Sequence, residues 1–139
     1  MDTIQQLLAR HQEGFRKRDP KELAADYAQN ATVSSPMFPR AEGRAAIEHS
    51  FTKLFGVFPD WETTFEEPCI DGSRAMLLCK VRATQKGEFM GLPPSGRRIE
   101  FDCVLVFDVE DGLVVRERRI YDFTGLLIQL GVLRGKPAV

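Results

Sequence analysis

Apolar residues before Pro59 recur with the period of an α-helix in three segments. The first segment opens with a capping box made by Thr3 and Gln6. The second opens at Asp19-Pro20, an N-cap followed by a proline in the first turn. The third opens at Gly43 and is stopped by Pro59. The pattern therefore predicts three helices, with a short strand over 31–35 between the second and the third.

From Trp61 onward, apolar and polar residues alternate with the period of a β-strand. We predict strands over 61–70, 73–84, 98–109 and 113–122, with a loop over 87–96 that holds two prolines and three glycines. A final amphipathic helix runs from Phe123 to near Gly131. Helices followed by hairpin-connected strands indicate an α+β fold, in which the N-terminal helices pack on a curved antiparallel sheet. Such a sheet forms a cone that encloses a pocket.

The last hairpin predicts which side chains face this pocket. Asp111-Gly112 separates two alternating strands, and Asp-Gly favours a two-residue turn. Directly opposed residues share a face of the sheet. In the regular register, the opposed residues near the pocket are Leu105 with Arg118, Cys103 with Ile120, and Phe101 with Asp122. This register places Asp122 on the apolar face, inside the cone.

Asp122 is the candidate catalytic residue. A carboxyl group in apolar surroundings loses hydration, which raises its pKa and suits it to general acid–base chemistry near neutral pH. Arg118, on the same strand and face, could hold an enolate or carboxylate by charge-assisted hydrogen bonds. Two alternatives stay open. Asp122 also fits the N-cap of the last helix, and Arg118 also fits a long side chain at the rim of the sheet.

Other side chains are candidates for the pocket wall and for contact with the substrate: Phe101, Cys103, Leu105, Ile120, Tyr27 and Trp61. For Cys103, Tyr27 and Trp61, ordinary core packing is the simpler interpretation. His11 lies between the stripe positions of the first helix, which favours a surface histidine. The sequence shows no cluster of side chains typical of a nucleophile triad or a metal site. We therefore expect neither a metal nor a cofactor.

Composition narrows the class of protein. The chain has 139 residues, of which 43% are hydrophobic, and we expect one domain over 1–139. Nineteen Lys and Arg against 20 Asp and Glu give a net charge of −1, which argues against nucleic acid as a partner. No apolar run approaches the length of a membrane span. Three widely spaced cysteines, without a leader-like N-terminus, favour the cytoplasm.

Several stretches resemble the SnoaL-like polyketide cyclase family of the nuclear transport factor 2-like superfamily. They are the glycine–proline loop over 87–97, Asp111-Gly112, Tyr121-Asp122, and the segment over 125–131 that ends in Gln129-Leu130-Gly131. The resemblance implies a cone-shaped α+β fold that dimerises through the outer sheet face. It also implies ring closure by an intramolecular aldol reaction without a cofactor, with the aspartate at the position of Asp122 as the acid and base.

Three functions fit these observations. The first is a cofactor-independent enzyme of the cyclase or isomerase type that acts on a small hydrophobic carbonyl compound through Asp122. The second is a non-catalytic module that binds a small apolar acid, with Arg118 as its anchor. An epoxide-hydrolase-like enzyme ranks last, because it would need two inward carboxylates. The outward Val104 and Val106 favour a homodimer, since a sheet covered on one side does not need apolar residues on both faces.

Overall fold

The computed structural model describes residues 3–38 and 40–135. The helices are α1 (Ile4–Lys17), α2 (Pro20–Ala24), α3 (Arg44–Val57) and α4 (Phe123–Gln129), and the strands are β1 (Tyr27–Ser34), β2 (Ala41–Glu42), β3 (Glu62–Phe65), β4 (Cys69–Asp71), β5 (Arg74–Thr84), β6 (Arg98–Glu110) and β7 (Leu113–Tyr121). The described strands form one sheet in the order β2-β1-β7-β6-β5-β3, with β4 beside β5. This arrangement confirms the predicted α+β fold.

The predicted helix starts are confirmed by their caps. Thr3 Oγ1 accepts from the Gln6 N–H at 3.1 Å, and Gln6 Oε1 accepts from the Thr3 N–H at 3.0 Å. Asp19 caps α2 by accepting from the backbone N–H groups of Lys21 and Glu22, both at 3.1 Å. These side chains satisfy donors that the first turn of a helix leaves without a partner, which explains why local sequence fixes both starts.

Two strands differ from the prediction. The strand expected over 61–70 is divided into β3 and β4, and Pro68, which has no backbone N–H for a ladder, lies between them. The strand expected over 31–35 begins earlier, at Tyr27, and runs parallel to β7. Most of the chain separates β1 from β7, so no tight turn forces the antiparallel direction that the hairpins impose elsewhere.

The last hairpin contains a bulge that changes its register. Asp111 and Gly112 have φ values of 52° and 76°, as a two-residue turn with positive φ requires, and Glu110 pairs with Leu113. The predicted turn is therefore confirmed. Val115 then stands unpaired, because Val109 pairs with Val114 while Asp108 pairs with Arg116. An extra residue on one strand is a β-bulge, and it moves every later residue of β7 to the other face.

The predicted register is consequently wrong beyond the bulge. Leu105 faces Arg119 instead of Arg118, and Cys103 faces Tyr121 instead of Ile120. The inner face of β7 thus presents Glu117, Arg119 and Tyr121. Charge gives a reason for this outcome. The regular register would bury Arg116 and Arg118, two like charges, whereas the observed one buries a carboxylate beside a guanidinium, which partly offset each other's desolvation.

Candidate functional site

A pocket lies between the inner face of the sheet and the side chains of α1 and α3. Its empty space is about 470 Å³, including the open mouth. Most of its wall is apolar, and the larger apolar side chains are Phe15, Leu54, Trp61, Val81, Phe101 and Leu105. Polar atoms come from a few residues, chiefly Arg119 and Tyr121 of β7 and Ser35 and Thr63 nearby.

The predicted wall residues divide into two groups. Phe101, Cys103, Leu105 and Trp61 line the pocket. Arg118 is exposed, and Ile120 is 52% exposed, because the bulge turns both to the outer face. The prediction that these two side chains face the interior is therefore wrong.

Tyr27 and Asp122 do not line the pocket either. Tyr27 is fully buried and lies outside the wall, in contact with Glu117. Asp122 is exposed and is the N-cap of α4, where its Oδ1 accepts from the Gly125 N–H at 2.9 Å. The prediction that Asp122 points into the cone is wrong, since the bulge shifts the end of β7 by one residue. The alternative weighed for Asp122, the helix cap, is confirmed.

Arg119 is the cation that the structure places at the pocket. Its side chain is 12% exposed, and its Nε donates to Glu117 Oε2 at 2.9 Å. The guanidinium carbon also lies 5.0 Å from the centre of the Phe51 ring, a distance at which a cation is attracted to the aromatic face. Glu117 is fully buried and lies outside the pocket wall. Arg119 thus lines the pocket, and its guanidinium is held by a carboxylate that lies outside the pocket wall.

Glu117 and Arg119 each keep the other ionised. Burial would raise the pKa of Glu117, but the charge and hydrogen bonds of Arg119 outweigh burial and hold that pKa below its usual value. Burial would likewise lower the pKa of Arg119, and the charge of Glu117 more than offsets this, so the pKa of Arg119 lies above its usual value. Both groups are therefore charged at neutral pH.

Tyr121 supplies a hydroxyl beside Arg119. The two residues are two positions apart on the inner face of β7. Tyr121 Oη accepts from the Met37 N–H at 3.0 Å and lies 3.3 Å from Ser35 Oγ. Burial raises the pKa of Tyr121, and the hydrogen bonds from Ser35 and Met37 only partly oppose this effect. The hydroxyl is therefore protonated at neutral pH and can donate to a ligand.

Further buried polar side chains are linked to Glu117 on the side away from the pocket wall. Tyr27 Oη donates to Glu117 and lies 3.4 Å from His11 Nε2, and His11 Nδ1 lies 2.9 Å from Asp26 Oδ2. His11 is 1% exposed, so the prediction of a surface histidine is wrong. Its place off the apolar stripe of α1 does not bring it to solvent, because Asp26 and Tyr27 cover that side of the helix.

Sequence reasoning missed Glu117 and Arg119 as site residues. One signal was present: Arg116-Glu117-Arg118-Arg119 is a run of four charges inside a strand, so either register must direct charged residues inward. One register buries Arg116 with Arg118, and the other buries Glu117 with Arg119. The second is favoured, because opposite charges can pair when they are buried.

Possible metal ligands, membrane-spanning helices and cysteines were the remaining features of interest in the described residues. Within residues 3–38 and 40–135, no three His, Cys, Asp or Glu side chains are grouped so that they could hold a metal ion. None of the helices in the same part of the chain has the length and apolar character needed to span a bilayer. Cys69, Cys79 and Cys103 are free thiols, and the Cys79 thiol donates to the Cys103 carbonyl at 3.4 Å.

Solved structures share this fold. Wild-type IdmH from Streptomyces antibioticus, a proposed polyketide cyclase, is 28% identical with a TM-score of 0.74, and the match covers 92% of this chain and 98% of that chain. TsrD from Streptomyces laurentii is 24% identical with a TM-score of 0.82, covering 96% and 99%. TerC co-crystallised with polyporic acid is 16% identical with a TM-score of 0.76, covering 91% and 96%.

Among curated proteins, none matches the chain. The family comparison is more direct. The model of the SnoaL-like polyketide cyclase family matches residues 5–130, which is nearly the whole chain, and the chain therefore belongs to this family.

Proposed function

We propose that this protein binds a small hydrophobic carbonyl compound and acts on it by cofactor-free chemistry of the cyclase or isomerase type. One observation carries the proposal: Arg119 lines an otherwise mostly apolar pocket, and its guanidinium is bound to Glu117, which is buried outside the pocket wall. A fixed cation in such surroundings favours an oxygen that is negative or becomes negative. Membership in the family and the likeness to IdmH support the class of reaction.

Arg119 and Tyr121 suit an enolate oxygen. Aldol ring closure and double-bond isomerisation both form negative charge on a carbonyl oxygen, and donors already in place stabilise that charge. Tyr121 and Arg119 lie two positions apart on the inner face of β7 and both line the pocket, so each can offer a donor to a bound ligand. An acid–base role for Asp122 stays a prediction, and its exposed position at the start of α4 does not support it.

Ligand binding tests whether Arg119 is the anchor of the ligand. We expect the wild type to bind 2-naphthoate more tightly than 2-acetylnaphthalene, its uncharged analogue of similar shape, by isothermal titration calorimetry. The double variant Glu117→Gln/Arg119→Met removes both buried charges together and so leaves neither unpaired. In this variant the Kd of 2-naphthoate should rise at least about tenfold. Arg118→Met, one position away on the outer face, is the matched control and should change neither Kd.

Enolisation separates an enzyme from a binding module. In D2O, an enzyme that stabilises the enolate speeds transfer of a methyl proton of 2-acetylnaphthalene to solvent or buffer base and its replacement by deuterium from D2O, which proton NMR follows directly. We expect exchange faster than in buffer for the wild type and slower exchange for the double variant. Binding of 2-naphthoate without any faster exchange would instead favour the non-catalytic module. Failure of the wild type to bind 2-naphthoate would overturn the proposal.

The outer sheet face supports a homodimer. Met76, Leu78 and Ile120 are 43%, 42% and 52% exposed. Met76 pairs with Val106, Leu78 pairs with Val104, and Val104 pairs in turn with Ile120, so these side chains make one continuous apolar patch across three strands. A patch of this kind on a sheet whose other face is already buried favours a partner. A second copy fits best, because a two-fold axis through the patch would pair it with itself.

Light scattering during size-exclusion chromatography tests the dimer. We expect a dimer mass for the wild type at micromolar concentration and a monomer mass for Leu78→Lys. The control Met90→Lys adds the same charge at an exposed apolar residue of the 87–97 loop and should remain dimeric. A monomeric wild type would contradict the proposal.

A further inference from the structure

Hydrogen bonds lead from the surface of α1 to the carboxylate that holds Arg119. Arg10 Nε donates to Asp26 Oδ1 at 2.7 Å, and the other oxygen of Asp26 lies 2.9 Å from His11 Nδ1. On the far side of the ring, His11 Nε2 lies 3.4 Å from Tyr27 Oη, which donates to Glu117. All members except Arg10 are buried. We name Asp26, His11, Tyr27 and Glu117 the buried chain.

The buried chain has more links than a neutral imidazole has protons to fill. Glu117 is ionised, so the single proton of Tyr27 is donated to it. His11 Nδ1 faces a carboxylate oxygen and must carry a proton to donate there. A neutral ring would then present a bare Nε2 to the Tyr27 oxygen, lone pair against lone pair. A doubly protonated ring donates on both sides and fills every link.

The surroundings of the ring exclude water. Phe15 and Phe107 pack edge-on against it, with ring centres at 5.2 and 5.5 Å. Each buried carboxylate already has a cation beside it, Arg10 for Asp26 and Arg119 for Glu117. The contact between the ring and Tyr27 has no solvent to complete it, so a proton on Nε2 is what fills this link.

We propose that His11 is a positioning residue for Arg119. As an imidazolium, His11 donates to Asp26 and Tyr27, and Tyr27 donates to Glu117, so that one orientation of the carboxylate, and with it of the guanidinium, is favoured at the pocket. His11 touches no ligand and acts only through this chain. The inference rests on the proposed function, because it takes Arg119 as the anchor of the ligand.

The consequence for binding is selective. Without the donor behind it, the Glu117 carboxylate is free to turn, and the guanidinium that it holds by two contacts, at 2.9 and 3.5 Å, turns with it. A ligand that depends on a fixed cation then loses affinity. A neutral ligand that depends on apolar contact with Phe101 or Leu105 keeps its affinity, since those side chains lie on β6 and are not part of the buried chain.

Two variants test the chain at different links. His11→Phe keeps an aromatic ring but removes both nitrogens, and Tyr27→Phe removes only the hydroxyl. For each, we expect the Kd of 2-naphthoate to rise about tenfold or more while the Kd of 2-acetylnaphthalene changes by less than about twofold. Ile47→Val, a buried change in α3 at a residue that belongs neither to the pocket wall nor to the buried chain, lowers stability and should leave the ratio of the two Kd values unchanged.

The outcomes separate this inference from the proposed function. If Glu117→Gln/Arg119→Met weakens 2-naphthoate binding and a folded His11→Phe does not, the positioning role is overturned and the anchor survives. Equal weakening of both ligands in His11→Phe also overturns the positioning role, because it indicates general damage to the pocket. If the double variant binds 2-naphthoate as the wild type does, the anchor itself fails.

A measurement on the wild type decides the matter if the variants do not fold. In nitrogen-15 NMR of histidine-labelled protein at neutral pH, both ring nitrogens of His11 should show attached protons, and the Arg119 Nε–H should give a slowly exchanging resonance. His11→Phe and His49→Phe assign the ring signals, and the exposed His49 serves as the reference. A His11 spectrum with one bare nitrogen overturns the inference.

Discussion

The two faces of the β6–β7 hairpin both pair arginine with a carboxylate, at nearly equal distances. On the inner face, Arg119 Nε lies 2.9 Å from Glu117, and the two side chains are 12% and 0% exposed. On the outer face, Asp108 lies 2.8 Å from both Arg74 and Arg116, in a place open to solvent. The pairs differ in surroundings and hardly at all in geometry.

Distance alone therefore does not measure what an ion pair contributes to the free energy of unfolding. Water and salt screen the outer pair, and its long side chains lose conformational freedom when they pair. The inner pair has already lost its water, so removing one member leaves the other buried and unpaired. The same bond length therefore accompanies a small effect on one face and a large effect on the other.

The largest effect should come from Glu117→Gln. It leaves Arg119 without its counter-charge and should lower the free energy of unfolding by about 3–5 kcal/mol, measured by urea denaturation. Glu117→Gln/Arg119→Met should regain most of this loss, because both charges are then absent. A single variant as stable as the wild type would show that the inner pair is no stronger than the outer one.

The second largest effect should come from acid, which weakens the inner pair of Glu117 and Arg119. The pKa of Glu117 in the folded protein lies below its ordinary value of 4.5, so the unfolded chain takes up the proton first as pH falls. The stability contributed by Glu117 is fully present above pH 4.5 and is lost as pH falls through the folded-state pKa. Urea denaturation across this range should show a steeper loss for the wild type than for Glu117→Gln, even in 1 M salt, which screens exposed pairs. Parallel curves would contradict this.

Asp122 at the hairpin's end gives an intermediate effect. As the cap of α4, Asp122→Ala should lower the free energy of unfolding by about 1 kcal/mol, whereas Asp122→Asn should change it little, because asparagine caps nearly as well. Thermal melts check both. Proton exchange of 2-acetylnaphthalene should persist in Asp122→Asn. A loss of exchange by a factor of roughly 10² or more would instead restore Asp122 as the acid and base.

The smallest effect should come from the outer pair. Asp108→Asn removes the partner of Arg74 and Arg116, and we expect less than about 1 kcal/mol of lost unfolding free energy, falling further at high salt. Urea denaturation at two salt concentrations measures it. A loss as large as that of Glu117→Gln would mean that exposure does not distinguish the two faces.

The sequence predicted what local chemistry decides. Thr3 with Gln6, Asp19, and the Asp111-Gly112 turn each act within a few residues, so the helix starts and the turn were accessible. Val115 was not, because a bulge forms from the pairing of two strands and the fit of the face behind them. Since side chains alternate with period two, that one residue exchanged the pocket side of β7 for the solvent side.

His11 illustrates a second limit. The apolar stripe of α1 describes only that helix. The partners of His11 are Asp26 and Tyr27, which lie 15 and 16 residues further along the sequence, beyond the end of α1. A partner that is brought close only by the fold leaves no trace in periodicity. Phe101, Cys103, Leu105 and Trp61 were correctly placed at the pocket, because β6 alternates regularly and the apolar preference of its inner face is strong.

The bulge at Val115 also governs how residues can be equated between relatives. A relative whose hairpin is regular at this point directs the neighbouring residue of its last strand into the pocket. An alignment without a gap would then match its pocket residue to an outward side chain of this protein, such as Arg118, although both strands are correctly aligned by number. Functional assignments carried across the family at low identity therefore need the strand pairing to be compared first, and sequence position second.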